Sequence, residues 1–266
     1  MRSGTSADPV FFDRGDGLLE PTEHARGPWD EQALHGGAPA ALLAREIERA
    51  EPGSAMFVAR ITFEFLGPVP QAPLRPLARV VRPGKRLQIV EAELRADDTV
   101  VLRARAMRLR RGELAAGATE RKQVPGEGPQ TAVPSPFPEG QGTTGFHRST
   151  MEIRFADGSS YGRGPAKAWF RLTRPLVAGE EPTPLQRVVA AADFGNGVSR
   201  ELDFSAFLFV NTDLTVNLER EPLGEWVLLD AQTSIAEQGT GLATSTLYDE
   251  HGRIGVSAQT LFVDAR

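Results

Sequence analysis

The chain has 266 residues, no cysteine and a formal net charge of −5, so disulfides, thiolate nucleophiles and cysteine-ligated zinc are excluded. The acidic balance argues against a nucleic-acid partner, which needs a concentrated basic surface. With 40% apolar and 24% charged residues the composition is globular, no apolar run reaches the ~18 residues of a membrane span, and MRSGTSADPV offers no signal-peptide core, so a cytoplasmic location is expected.

Residues 36–50 (GGAPAALLAREIERA) read as a helix. Pro39 suits its first turn, Leu42, Leu43, Ile47 and Ala50 give an apolar stripe, and Pro52-Gly53 stops it. Strand-like alternation follows at Ile61, Phe63 and Phe65, then over Leu87–Leu94 and Val100–Leu109, with turns at Pro83-Gly84 and Asp97-Asp98. Arg103 and Arg105 share one parity of the last strand and Arg108 and Arg110 the other, so a bulge near Met107 is expected if all four face solvent. From Glu113 to His147 the chain is rich in Gly, Pro, Thr and Gln and has little apolar period, which reads as a linker.

After it come MEIRFA and AKAWFRL, joined by a Gly-rich turn at 158–164. A second helix is expected to start at Thr183 as N-cap with Pro184 in first position, to bury Leu185, Val188, Val189 and Ala192, and to end at Gly195. Four further strands are expected over 207–218, 226–235, 240–248 and 254–263. Sliding residues 61–107 onto 214–260, an offset of 153, superposes Ile61, Phe63 and Phe65 on Leu214, Val216 and Leu218, and Leu94 on Leu247. The chain therefore reads as a duplicated unit, with an N-terminal domain over 1–120, a linker over 121–145 and a C-terminal domain over 146–266. At the same offset Arg60, Val81 and Ala106 fall on Asp213, Ser234 and Gln259, so one polar site is expected rather than two.

An apolar helix followed by antiparallel strands that must wrap it, written twice in one chain, is similar to the double hotdog fold, an α+β pseudo-dimer. Gly36-Gly37 resembles the Gly-Gly that opens the corresponding helix of type II acyl-CoA thioesterases. The segment Asp213–Arg220, then Glu225-Trp226, Thr233-Ser234, the turn Tyr248–Gly252 and Gln259 resemble the C-terminal half of that family. The resemblance implies a thioester hydrolase in which an aspartate, a threonine or serine, and a glutamine hold and activate the attacking water. These fall on Asp213, on Ser234 or its neighbour Thr233, and on Gln259. Gly36 and Gly37 would let the thioester carbonyl approach the free amides of the helix start, and Arg82, Lys85 and Arg86 are candidates for the coenzyme A phosphates. No cofactor is implied beyond the coenzyme A thioester substrate, and a homodimer is expected from the fold.

Other readings compete. Asp213, Thr215 and Asn217 share a parity opposite Leu214, Val216 and Leu218, as a solvated strand face would. Asp193 and Asn196, near the end of the second helix, form a back-up pair, although Asn196 is also a helix-stop residue. Gly158-Ser-Ser-Tyr-Gly162 matches a nucleophile elbow with Ser160, yet the alternating AKAWFRL that follows reads as a hairpin. A hotdog hydratase would pair a histidine with an aspartate near the active-site helix, and His35 finds no aspartate on a matching strand. A non-catalytic acyl-thioester or lipid-binding protein is the remaining alternative. The four histidines, 24, 35, 147 and 251, show no ligand spacing, and no metal is expected.

Overall fold

A computed structural model describes residues 8–51, 55–112, 119–135, 144–159 and 162–266. Two short strands, β1 (Phe11–Asp13) and β2 (Leu19–Pro21), lead into helix α1 (Gly37–Arg49), and then β3 (Met56–Phe65), β4 (Leu74–Arg82), β5 (Leu87–Ala96) and β6 (Thr99–Arg110) complete the first half. The second half holds β7 (Val133–Pro134), β8 (Met151–Asp157), β9 (Ala166–Leu172), helices α2 (Pro184–Ala192) and α3 (Gly195–Val198), then β10 (Phe207–Asn211), β11 (Asp213–Leu218), β12 (Val227–Ala236), β13 (Thr240–Asp249) and β14 (Gly252–Ala265). All strands join one antiparallel sheet in the order β1-β2-β4-β5-β6-β3-β11-β14-β13-β12-β9-β8-β7, with β10 paired to β14.

The seam between the halves is the β3–β11 pair, where Thr62 faces Thr215 and Ile61 faces Val216 while Phe63 faces Leu214. Thr62 and Thr215 are themselves 153 positions apart, the same offset as the duplication. Each residue at the centre of the seam therefore meets its own counterpart, and their hydroxyls hydrogen-bond at 3.1 Å. A local pseudo-two-fold passes between them. The offset also carries the starts of β4, β5 and β6 onto those of β12, β13 and β14, so the tandem α+β pseudo-dimer expected from the sequence is what the chain forms.

Both main helices pack on the sheet and run antiparallel to each other: α1 opens beside the end of α2, since a side chain on Gly37 would meet the Ala190 carbonyl at 2.8 Å, and α2 opens beside the end of α1, where Thr183 donates to Glu48. α1 is buried on every side, from Gly37 through Arg45 and at Ile47, because sheet and partner helix enclose it together. This explains its run of alanines, which let two helices and a sheet approach closely. The helix-to-seam spacing differs between halves. There are 25 positions from Gly37 to Thr62 and 31 from Pro184 to Thr215, six more. The longer route is where α2 stops at Ala192 and the chain turns again as α3, an interruption that the sequence reading of one helix ending at Gly195 does not contain.

Three further expectations are corrected. β4 was not expected, because Pro76 interrupts its pattern; it holds sheet position because β2 pairs with it only at Leu74, leaving most of it as an edge. Arg103, Arg105 and Arg110 are exposed, but Arg108 is buried and its Nη1 donates to the Ala50 carbonyl at 2.7 Å. The extra residue lies in β3, between Val58 and Arg60, rather than near Met107 in β6. The described part of the expected linker is docked: Trp169 Nε1 donates to the Glu127 carbonyl and Arg154 to that of Pro129. Ala132 is buried there with Trp169, Trp226, Leu228 and Tyr248.

Candidate active site

At the start of α1 the chain carries no side chain for two residues, and a carboxylate fills the space. A Cβ on Gly36 would stand 2.8 Å from Asp193 Oδ2 and 3.0 Å from Phe65 Cζ. Asp193 is the C-cap of α2 and is buried, so the antiparallel helix pair itself delivers it to the opening of α1. Its Oδ1 accepts from Asn211 Nδ2 at 2.9 Å, and its Oδ2 lies 3.1 Å from His35 Nδ1. The same His35 nitrogen is 3.1 Å from the Gly37 amide. The His35 ring is held flat against Phe194, centroids 4.3 Å apart.

Gln259, only 1% exposed, sews the break between α2 and α3. Its Oε1 accepts from the Asn196 amide and its Nε2 donates to the Asp193 carbonyl, both at 3.1 Å. One amide hydrogen and one oxygen lone pair remain uncommitted. A Cβ on Gly195 would fall 2.7 Å from Gln259 Oε1 and 3.2 Å from Ser245 Oγ, so the side chains of β13 and β14 press directly on the α3 backbone. Asn196 anchors the turn by donating to the Phe209 carbonyl. At the rim, Trp29 stacks on Phe204 at 4.0 Å and meets Phe209 edge-on, with the Arg266 guanidinium 5.1 Å from its ring.

The residues expected from the sequence separate on this geometry. The back-up residue Asp193 links Gly36 and Gln259: its carboxylate lies against Gly36, next to Gly37, and its carbonyl accepts from Gln259, which also holds the Asn196 amide. Asp213 does not join them: it alternates with buried Leu214, Val216 and Leu218, and its Oδ1 accepts from the Thr260 amide at 2.5 Å, closing the gap where β10 gives way to β11. Of the hydroxyl pair, Ser234 is exposed and Thr233 shares the parity of buried Leu229 and Ala231. Thr233 Oγ1 lies 2.7 Å from Ser199 Oγ, and Ser199 donates to the Gly195 carbonyl, so Thr233 braces the end of α3. Arg82, Lys85 and Arg86 lie by the β4–β5 turn, where Arg110 donates to the Arg86 carbonyl and Gln88 to Glu51. That is the far end of α1, about 20 Å of helix away. Ser160 lies outside the described residues, and β8 and β9 on either side of it pair as a hairpin.

Asn211 is the residue that sequence reasoning passed over. Its signal was its placement two before Asp213, at the β10–β11 break where the strand must change direction. The Arg220 and Asp249 of the motif segments are structural: the guanidinium takes both carboxylate oxygens at 2.6 Å, while the Leu223 and His251 amides also donate to Asp249. Burial by itself would raise the Asp249 carboxyl, but Arg220 and the two amides outweigh it and hold it below its ordinary value. His147 near the site is pushed down to about 3 by burial, helped by His35 and Arg148, so it is a neutral neighbour. Among the described residues, no group of three or more histidine, aspartate or glutamate side chains is placed to hold a metal ion, and no helix is long and apolar enough to cross a membrane.

The opposite end of the helix pair is the pseudo-symmetric counterpart. There Thr183 and Pro184 stand where Gly36 and Gly37 stand in the first half, and the offset replaces Asn211 by Val58 and Gln259 by Ala106. A cavity of about 430 Å³ persists, lined by Glu48, Val58, Arg108, Pro184, Leu185 and Leu218 among others. Glu48 accepts from Thr183 Oγ1 at 2.7 Å and Gln186 Nε2 at 3.2 Å. Burial pushes its carboxyl up despite those hydrogen bonds. Pro184 has no amide hydrogen and Thr183 caps the helix by accepting from Gln186 N, so this helix start is already closed.

The sequence model of the acyl-CoA thioesterase N-terminal domain matches residues 25–109, and that of the C-terminal domain matches residues 129–263. Among solved structures, the chain is similar to a protein from Novosphingobium aromaticivorans, provisionally described as a thioesterase, at 20% identity and TM-score 0.73 over 96% of this chain and 99% of that one. It is likewise similar to one from Thermobifida fusca, provisionally described as a thioesterase II, at 16% identity and TM-score 0.72 over 96% and 95%. A hotdog-fold protein of unknown function from Alicyclobacillus acidocaldarius aligns at 16% identity and TM-score 0.74 over 94% and 93%. No curated protein matches the chain. At these identities the structures speak for the fold, a double hotdog; the two domain matches, in order and together spanning most of the chain, show that it belongs to the acyl-CoA thioesterase family.

Proposed function

We propose that the chain hydrolyses an acyl-CoA thioester to the free acid and coenzyme A by direct attack of water, with Asp193 rather than Asp213 as the base. The observation that carries this reading is the carboxylate held over Gly36 at the amide end of α1. A thioester carbonyl brought to Gly36 and Gly37 meets backbone donors and the positive end of the helix dipole, where the developing oxyanion is stabilised. A water beside it meets a carboxylate oriented by Asn211, with the uncommitted hydrogen and lone pair of Gln259 to fix its position. As the water oxygen bonds to the carbonyl carbon, Asp193 takes its proton and the C=O electron pair moves to oxygen. When the C=O re-forms, the C–S bond breaks and the leaving thiolate takes that proton back. No residue is acylated.

Thiol release from a panel of acyl-CoA esters, short to long, measures this directly, and a protein without cysteine contributes no background. Hydrolysis of at least one ester is expected. A panel without release would leave a non-catalytic acyl-thioester binder, which equilibrium binding of the same esters then detects.

A further inference from the structure

One ring nitrogen at this site has two partners that make opposite demands on it. His35 Nδ1 is 3.1 Å from Asp193 Oδ2 and 3.1 Å from the Gly37 amide nitrogen. The amide can only donate, so it requires a bare lone pair on Nδ1. An ionised carboxylate can only accept, so it requires a proton there. A single protonation state cannot serve both unless the proton sits on Asp193.

Nothing about the ring lets it escape the conflict. It stacks on Phe194 at 4.3 Å and lies 5.3 Å from Phe146, and its side chain is 10% exposed. A Cβ on Gly37 would approach Nδ1 to 3.3 Å, so the backbone of the helix start is in contact with it. The facing titratable groups are Asp193 at the end of α2 and His147, whose ring centroid is 6.5 Å away. His147 Nε2 accepts from Arg148 Nε at 3.1 Å, and burial keeps it uncharged, so it brings no competing cation.

We infer that His35 is a positioning residue whose Nδ1 proton, shared with Asp193, decides whether the Gly37 N–H is free to meet the substrate carbonyl. This rests on the hydrolytic reading above. With the proton on Nδ1, His35 donates to Asp193 Oδ2, the carboxylate is ionised and aimed, and the Gly37 N–H is released to the oxyanion. With Nδ1 bare, the ring takes up that N–H and the helix start loses a donor. During attack the proton removed from water comes to Asp193 and is held there until the thiolate collects it, while the Nδ1 proton stays on the ring throughout. The base and the oxyanion donor are thus made ready by one proton.

Two variants and one spectrum test this. His35→Phe keeps the ring packing and removes Nδ1, whereas His35→Asn places an amide N–H near the same point without the ring. For His35→Phe, kcat is expected to fall about tenfold or more with KM within about threefold, and His35→Asn to retain about a third or more of the parent kcat. Nitrogen-15 spectra of the imidazoles, with only four histidines to assign, are expected to show His35 protonated at Nδ1 and its signal displaced in Asp193→Asn. An unchanged kcat in His35→Phe overturns the inference, as do equal losses in both variants, which would mean packing alone. A bare Nδ1 whose signal ignores Asp193→Asn also overturns it. The spectrum needs no substrate, so it reports on the shared proton even if no acyl-CoA ester is hydrolysed, a result that would count against the hydrolytic reading alone.

Discussion

The two ends of the α1–α2 pair come from equivalent positions of a duplicated unit and have diverged in opposite directions. At one end, two glycines bring the helix backbone against a buried aspartate, the Gly37 amide meeting only the His35 ring nitrogen, with Asn211 and Gln259 in support. At the other, Thr183 and Pro184 cap the helix, Val58 and Ala106 replace the amide side chains, and the carboxylate present, Glu48, is spent on Thr183 and Gln186. The cavity survives there, so the two ends differ in the groups that line them rather than in the presence of a hollow. What distinguishes the ends is whether the helix start is capped by a threonine hydroxyl, as at Thr183, or meets a histidine ring and a carboxylate, as at Gly36 and Gly37. At the first end Asp193, the C-cap of α2, faces the start of α1, and Gln259 bridges the break between α2 and α3.

That contrast can be broken most sharply at the carboxylates. Asp193→Asn is expected to lower kcat by about 10²–10⁴-fold, while Asp213→Asn, changing a group that caps the Thr260 amide, leaves kcat within about twofold in the same thiol-release assay. Next comes the helix start. Gly36→Ala puts a methyl against Asp193 and is expected to reduce kcat by ~10²-fold through displacement of the base, whereas Thr183→Ala at the other end costs ~1 kcal/mol in denaturant unfolding and leaves activity intact.

Gln259→Ala should do both things at once. It strands the buried Asn196 amide and Asp193 carbonyl, at about 1–3 kcal/mol for each unsatisfied group, and it loosens the water site. A variant that loses stability while retaining full kcat would reduce Gln259 to a brace. The smallest effect is expected at Glu48. Its carboxyl is raised by burial, so its contribution to stability is present below the ordinary glutamate range, about pH 4, and is lost as pH rises through the folded-state value. Glu48→Gln is therefore expected to raise Tm more at pH 8 than at pH 4, read by thermal unfolding at the two pH values.

Much of the fold was legible because the duplication is written in the apolar period. The offset of 153 carries strand starts onto strand starts and places Thr62 opposite Thr215 at the seam. α1 was legible from its alanines and leucines, and α2 from Thr183-Pro184. β4 was not, since Pro76 hides it and only its edge position makes it tolerable. The site was half legible. Gly36 and Gln259, both read from the sequence, are brought to Asp193, whereas Asp213, where a gapless offset points, lies on a strand and caps the Thr260 amide. Asp193 reaches Gly36 from a helix end, a contact between distant residues that a gapless comparison of strands cannot register. Of Thr233 and Ser234, Thr233 shares the parity of Ala231, which turns its hydroxyl toward Ser199 and the end of α3.

Patterning by itself determined that this chain folds as two helix-bearing halves of one sheet, because burial of alternating and helical apolar positions admits few other arrangements. It also determined that the halves are chemically unequal. Only the tertiary structure decided which carboxylate meets the start of α1, because that depends on two antiparallel helices meeting end to start, a relation between residues 157 positions apart at Gly36 and Asp193. Local sequence carries propensity and period; the meeting of a side chain with a distant helix start is set by packing.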